Sequence, residues 1–400
     1  MSRPRLLFVS PRFLFPLDQG GKIRTTGILR AMHGGAFEIV LAAPAPADWQ
    51  DHATEIGTIC DRFVHWPEPR VGRIGRALAV VGPSPVAVAT DRSAPGSAAI
   101  ARELAPRPDL VVVDFPHAAV LMPARLAVPS ILFTHNVETE IYERHAEVAR
   151  GPWRHVWRRE AAKMRRFEGA ALRRFDRVIA VSARDGSALA RRFGIADPAL
   201  IDTGVDLDFY RFHPPGAQAA TVVFSGAMDS RSNIDGIGFL MDEVWPLVIA
   251  RRPDARTRVV GRNPPAALVA RAKRLGLAWE FTGFVEDIRP HVLAGDVAVI
   301  PLRVGSGTRL KAFEAMALGR PVVSTALGME GLDVVAGTHF LPAETAPDFA
   351  AAILRLLNQP DLRRDLTAAA RALLEERFSW SRIGRDFEQI CRATMERYRN

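Results

Sequence analysis

The stretch VIPLRVGSGTRLKAFEAMALGRPVVST, Val299–Thr325, decides the fold. A β-branched apolar run ends at Pro301, a glycine-rich turn follows, and an apolar-periodic segment starts near Thr308. Gly319-Arg320-Pro321 stops that segment, and Val322-Val323-Ser324 opens a second apolar run. Strand, glycine turn, helix, break and strand make up the crossover unit of a parallel sheet. Gly305 and Gly307 let the backbone approach a ligand closely. The helix beginning near Thr308 turns its positive end toward the same place, which makes a ready anion site. Arg309 and Lys311 add formal positive charge beside it. Further along the helix, the Glu314 carboxylate can accept hydrogen bonds from sugar or ribose hydroxyls. A plain strand–loop–helix unit with surface Arg, Lys and Glu fits the glycine turn equally well, because short glycine motifs recur by chance.

Outward from this segment the same alternation recurs. Apolar or β-branched runs stand at Leu6–Ser10, Phe37–Leu41, Leu110–Val113, Ser130–Thr134 and Val178–Val181. A second series follows at Thr221–Ser225, Arg256–Val260, Trp279–Thr282, Val297–Pro301 and Val322–Thr325. Helical patterns fall between several of them, which implies parallel sheets with helical crossovers. Between the two series lies PPGAQAA, Pro214 to Ala220, with the composition of a linker. The expectation is an α/β protein of two Rossmann-like, doubly wound domains, 1–212 and 213–378, facing across a cleft. Ligands in such sheets bind at the carboxyl ends of the strands. Residues 379–400 read as a closing helix with Ile383, Phe387, Ile390 and Met395 on one face and Ser379 as its N-cap.

Composition supports globular domains. The 400 residues are 48% apolar and 24% charged, enough for each domain to bury a core. Two distant cysteines, Cys60 and Cys391, argue against a disulfide scaffold or a cysteine-built zinc site and suit a reducing compartment. The run Leu6–Val9 is too short for a signal-peptide core, and Leu78–Ala89 is broken by Gly82, Pro83 and Pro85. The net charge of +9 is unevenly placed. Arg150–Arg177 holds ten Lys or Arg against Glu160, Glu168 and Asp176, a net +7. Arginines interleave there with Trp153, Trp157, Met164 and Phe167, so the segment reads as a basic helix for an anionic membrane surface, or as a solvated helix packed on the core. No recognition motif accompanies the charge, so nucleic acid is not expected.

Glu314-Ala-Met-Ala-Leu-Gly-Arg-Pro-Val-Val-Ser324 resembles the donor-binding signature of family 4 glycosyltransferases, which have the GT-B fold. The resemblance implies a retaining, metal-independent transferase using a nucleotide diphosphate-sugar, with UDP or GDP as the nucleotide, and needing no cofactor. It implies that Glu314 holds the ribose. Ser306 stands where the family has a first glutamate, and with Gly305, Gly307 and Thr308 it falls in the donor-binding turn. Thr221-Val-Val-Phe-Ser-Gly226 resembles the strand and turn opening the family's second domain. Relatives place an Arg and a Lys just beyond; this chain offers Arg231, so Arg309 and Lys311 are expected to carry more of the diphosphate charge. Val259–Pro264, with Arg262, and Phe281–Asp287 resemble the loops that frame base and ribose. Gly20 and Gly21 resemble the loop near donor phosphates and acceptor, with Lys22 and Arg24 open to reading as surface charges. His135, in Phe133-Thr-His-Asn136, resembles the family's histidine that contacts the donor sugar. Glu138 and Glu140 read as first-turn helix acids, and Ile201-Asp-Thr-Gly-Val-Asp206 resembles the family's loop before the second domain, with a structural role. The closing helix resembles one that crosses back to the first domain.

The whole pattern resembles sugar transferases of bacterial exopolysaccharide loci. It implies a cytoplasmic enzyme, peripheral on the inner membrane, with a glycan or lipid-linked acceptor. Other readings are a catalytically silent nucleotide-sugar-binding partner in an assembly complex, a sugar-nucleotide epimerase or hydrolase on the same scaffold, and a module that binds membrane or nucleic acid through the basic helix.

Overall fold

The computed structural model describes residues 3–69, 72–216, 219–304 and 310–399. The chain forms two compact units, Met1–Thr203 with Trp380–Asn400, and Gly204–Ser379. The division falls ahead of the expected 212 because residues 204–213 already belong to the second unit. The Val205 amide donates to Phe378 O at 2.7 Å, and the His213 amide donates to Leu318 O at 3.3 Å.

The first unit holds a seven-stranded parallel sheet in the order β3-β2-β1-β4-β5-β6-β7. Its strands are β1 Arg5–Val9, β2 Glu38–Ala45, β3 Arg62–Pro67, β4 Leu110–Asp114, β5 Ser130–Phe133, β6 Arg177–Ala180 and β7 Ala199–Leu200. The second unit holds six parallel strands in the order β10-β9-β8-β11-β12-β13. These are β8 Thr221–Ser225, β9 Arg256–Val260, β10 Trp279–Gly283, β11 Val297–Ile300, β12 Val322–Ser324 and β13 Leu341–Pro342. Parallel strands covered on both faces must be apolar at every position, which is why the central strands read as unbroken apolar runs rather than alternations. Leu6 and Phe8 of β1 face one core, Leu7 and Val9 the other. In the second unit Val222 and Phe224 face one core and Val223 the other.

The closing helix, Trp380–Arg399, lies in the first unit. Its Ile383, Phe387, Cys391 and Met395 are buried in the core with Leu6, Phe8 and Phe133. It packs on the helix Gly20–Met32 at two glycines. A Cβ at Gly27 would overlap the Trp380 indole, and one at Gly384 would come within 2.5 Å of Ala31 Cβ. Bare backbone on each helix lets the other approach. Gly27→Ala should therefore destabilise this unit by roughly 1–3 kcal/mol, the usual cost of overpacking a rigid ring. Urea unfolding reads this directly, and an unchanged midpoint would mean that the helix shifts freely.

Candidate functional site

In the second sheet β8 and β11 are neighbours at the point where strand order reverses, and the crevice at their carboxyl ends is where such sheets bind ligands. Two glycines clear that edge. Gly226 follows β8 with φ of 154°, and Gly261 follows β9 with φ of 159°. The Gly226 amide donates to Val260 O at 2.9 Å, and a Cβ at Gly261 would overlap the Gly226 carbonyl oxygen. Over this bare backbone lies Lys311, whose Nζ is where a Gly226 Cβ would come within 2.7 Å. Nζ donates to Asn233 Oδ1 at 2.8 Å and sits 4.5 Å from the Phe224 ring centroid.

Lys311 and Glu314 stand three residues apart in the helix Leu310–Ala317, and so on one face of it. Glu314 is half-buried and its Oε1 accepts from the Tyr210 hydroxyl at 3.1 Å. Burial pushes its carboxyl above the usual range, against the opposing pull of Tyr210 and Lys311. Arg231 opens the helix Arg231–Phe239 on the exposed surface. Arg262 is exposed and paired with Asp229 at 3.3 Å, so it is tied to its own loop. Gly305, Ser306, Gly307, Thr308 and Arg309 lie outside the described residues.

The first unit has a corresponding edge, where β1 meets β4. Gly20 and Gly21 open the helix Gly20–Met32 after β1. A Cβ at Gly21 would come within 2.7 Å of the Phe115 ring, so the glycine admits that ring against the start of the helix. Phe115 has φ of 65°, uncommon for a residue with a side chain, and stacks on His135 at 4.0 Å between centroids. His135 is buried, with Nε2 2.5 Å from Asp114 Oδ1 and Nδ1 3.0 Å from an Arg24 nitrogen. Arg24 can only donate, so Nδ1 accepts and Nε2–H faces the carboxylate. Burial, with the Arg24 and Arg12 charges, holds the imidazole below its ordinary range and neutral. Both ring nitrogens are thus engaged by the protein.

Arg24 is no surface charge. It is buried, donates to Thr203 Oγ1 at 2.9 Å, and burial lowers its guanidinium to about 10. Lys22 pairs with Asp18 at 3.0 Å. Glu140 is a first-turn acid as expected, bound to Arg184 at 2.8 Å. Glu138 is a first-turn acid as well, but a buried one, and burial with the nearby Glu168 raises its carboxyl to about 7. Sequence reasoning missed Asp114, although it is the first polar residue after the apolar run of β4. It also missed Asn233 and Tyr210, which no local pattern marks.

A carboxyl raised on folding favours the folded state when protonated. Its contribution is complete below the unfolded value near 4.5 and is lost as pH rises through about 7. Glu138→Gln removes that loss. The stability of the variant relative to the parent should rise between pH 5 and 8 by on the order of 3 kcal/mol. A pH-independent difference in denaturant unfolding would contradict this.

Comparisons with known proteins bear on the family and the fold. The model described as Glycosyltransferase Family 4 matches residues 23–209, and the one described as Glycosyl transferases group 1 matches 219–359. The D-inositol 3-phosphate glycosyltransferase 2 of Catenulispora acidiphila is 30% identical over 234 residues, 52% of this chain and 53% of that protein. The phosphatidyl-myo-inositol mannosyltransferase of Mycolicibacterium smegmatis is 27% identical over 216 residues, 51% of this chain and 55% of that one. The chain thus spans about half the length of the curated relatives it matches. Among solved structures, Anabaena HepE in complex with UDP has a TM-score of 0.70 at 17% identity, over 97% of this chain and 100% of its own. The sucrose-phosphate synthase of Thermosynechococcus elongatus has 0.72 at 19%, over 99% and 100%. With both halves matched by its models, the chain belongs to family 4 of the glycosyltransferases and has the GT-B fold.

Proposed function

We propose that the protein transfers a sugar from a UDP- or GDP-sugar to a glycan or lipid-linked acceptor in polysaccharide assembly. Transfer proceeds with retention, without a metal and without a cofactor. The observation that carries this reading is the pairing of Lys311 with Glu314 on one helix face beside the bare Gly226–Gly261 backbone. The cation suits a diphosphate and the carboxylate suits ribose hydroxyls. As the sugar–phosphate bond breaks, negative charge grows on the departing diphosphate. Lys311, with Arg309 and the amides of the glycine turn, stabilises it. In a front-face route the leaving phosphate takes the proton of the acceptor hydroxyl, so no strong protein base is required. Asp114, Arg24 and Thr203 fix His135, which shapes the floor of the first unit's edge. UDP and GDP, with their common sugar conjugates, should each be tested for thermal stabilisation. A true donor at ~100 times its dissociation constant should add about 2.7 kcal/mol. Glu314→Ala should abolish the shift, and turnover should require an acceptor. No shift with any nucleotide would sink the reading. Binding without turnover would favour the silent partner, and product without acceptor the epimerase or hydrolase.

The acceptor side includes an anionic membrane surface. No helix among the described residues is long and apolar enough to cross a membrane. Trp153 and Val148 are nonetheless 66% and 73% exposed, where the helix Pro152–Leu172 begins and the one before it ends. Arg154, Arg158, Arg165, Arg166 and Arg173 line a groove of about 720 Å3 along that basic helix. Aromatic and aliphatic side chains flanked by arginines fit the interface of an anionic bilayer, at about 1 kcal/mol per cation. Vesicles containing phosphatidylglycerol should retain the protein in co-sedimentation, and Trp153→Ala with Arg154→Glu and Arg158→Glu should release it. Equal binding to neutral phosphatidylcholine vesicles would remove the electrostatic part of the proposal.

A further inference from the structure

Residues 204–213 precede β8 in the second unit and form no helix or strand. A series of bonds fixes them nonetheless. Asp206 Oδ1 accepts from the amides of Asp208 and Phe209 at 3.1 and 2.8 Å, a turn built on its own side chain. The Tyr210 amide donates to Asp206 O at 2.8 Å. Arg289 donates to Phe209 O at 3.1 Å, and its guanidinium lies 3.8 Å from the Phe209 ring centroid. Arg371 donates to Tyr210 O at 3.3 Å and to Ala317 O at 3.2 Å, which ties the segment to the end of the helix that carries Glu314. Gly319 follows that helix with φ of 76°, and a Cβ there would come within 2.4 Å of His213 O. Bare backbone at Gly319 lets the segment lie against the helix end.

These bonds together set the direction of one side chain. The Tyr210 ring is half-buried and stands edge-on to Phe209 at 4.9 Å between centroids. Its hydroxyl donates to Glu314 Oε1 at 3.1 Å. A glutamate carboxylate rides on a stem of freely turning bonds, and each rotamer presents its oxygens differently. An O–H already bound to Oε1 settles that choice before a nucleotide arrives. It also favours the ionised form, which accepts from hydroxyls at either oxygen. Burial of Glu314 works against that form, and the Tyr210 bond and the Lys311 charge work for it. We infer that Tyr210 is a positioning residue of the donor site, holding the Glu314 carboxylate ready for ribose hydroxyls and so selecting ribonucleotide donors over deoxyribonucleotide ones. That Glu314 meets the ribose rests on the transferase reading above.

The test titrates the full chain with UDP, GDP and their 2′,3′-dideoxy analogues by calorimetry, in the parent and in Tyr210→Phe. The parent should bind one ribonucleotide more tightly than its dideoxy analogue. Tyr210→Phe keeps the ring on its packing and removes only the hydroxyl. It should weaken the ribonucleotide about tenfold, the lower end of what residues orienting a metal ligand contribute, and leave the dideoxy analogue unchanged. With an acceptor present, the donor KM should rise by the same factor while kcat at saturating donor holds. A merely structural tyrosine would instead lower the melting temperature and weaken both nucleotides alike, which would overturn the inference. Arg371→Gln removes the bond to the Tyr210 carbonyl and should narrow the preference in the same direction, so the comparison stays readable if the phenylalanine variant folds poorly. A preference for the hydroxyls that persists undiminished in the variants overturns the inference and leaves the ribose reading of Glu314 standing. No preference in the parent overturns that reading, and the inference with it.

Discussion

A fully buried carboxylate cannot be left alone, and Asp114 at the end of β4 organises the first unit around that requirement. It takes the Thr25 hydroxyl at 2.9 Å and faces the His135 ring at 2.5 Å. The other nitrogen of that ring meets Arg24, and Arg24 holds Thr203. One negative charge therefore fixes a histidine tautomer, keeps a guanidinium inside the protein, and ties the first helix, two strand ends and the last residue before the division into one network. Its members are satisfied pairwise, so removing any one of them would strand another in a medium where unmet polar groups are expensive.

The basic helix works in the opposite sense on its two faces. Outward it presents arginines; inward it buries Glu160, Lys163 and Glu168. Glu168 accepts from the amides of Glu138 and Thr139 at 2.8 Å, meeting donors that open the helix Glu138–Val148. Glu160 accepts from the Val86 amide at 2.8 Å, at the start of the helix that ends in Asp91. Both helices that deliver acids to the sheet edge are thus capped from the same brace. The acids that look like minor exceptions in a positive segment are the ones that position the neighbouring helices.

Much of the architecture was legible because parallel strands covered on both sides must be apolar throughout, and the runs of β1, β4 and β8 say so directly. β3 escaped notice because RFVHWP mixes charge, histidine and proline at a sheet edge, where one face is half-exposed. β7 and β13, two residues each, are too short to leave a pattern. The glycine turn and the charged residues of the helix after it, from which a donor site in the second unit was expected, are properties of local sequence. The place of Arg24 stayed open because burial of a charge depends on partners 90 residues or more away, at Asp114, His135 and Thr203, and no window on the sequence brings these together. The division was placed too late for a similar reason. PPGAQAA looks like a linker by composition, yet the chain joins the second unit earlier, through backbone contacts of Val205 and His213.

The placement of the closing helix carries a consequence for how the protein is made. The face of the first sheet bearing Leu6, Phe8 and Phe133 is covered by Ile383, Phe387, Cys391 and Met395. On the ribosome, that face emerges long before its cover. At about 5–20 residues per second, the interval between residue 203 and the end of the helix lasts roughly 10 to 40 seconds. Throughout it the first-made half waits with an apolar face open, while the second unit, continuous in sequence, can finish first. The nascent chain therefore offers chaperones a defined, timed target, and a truncation that removes only the last helix would expose that face permanently.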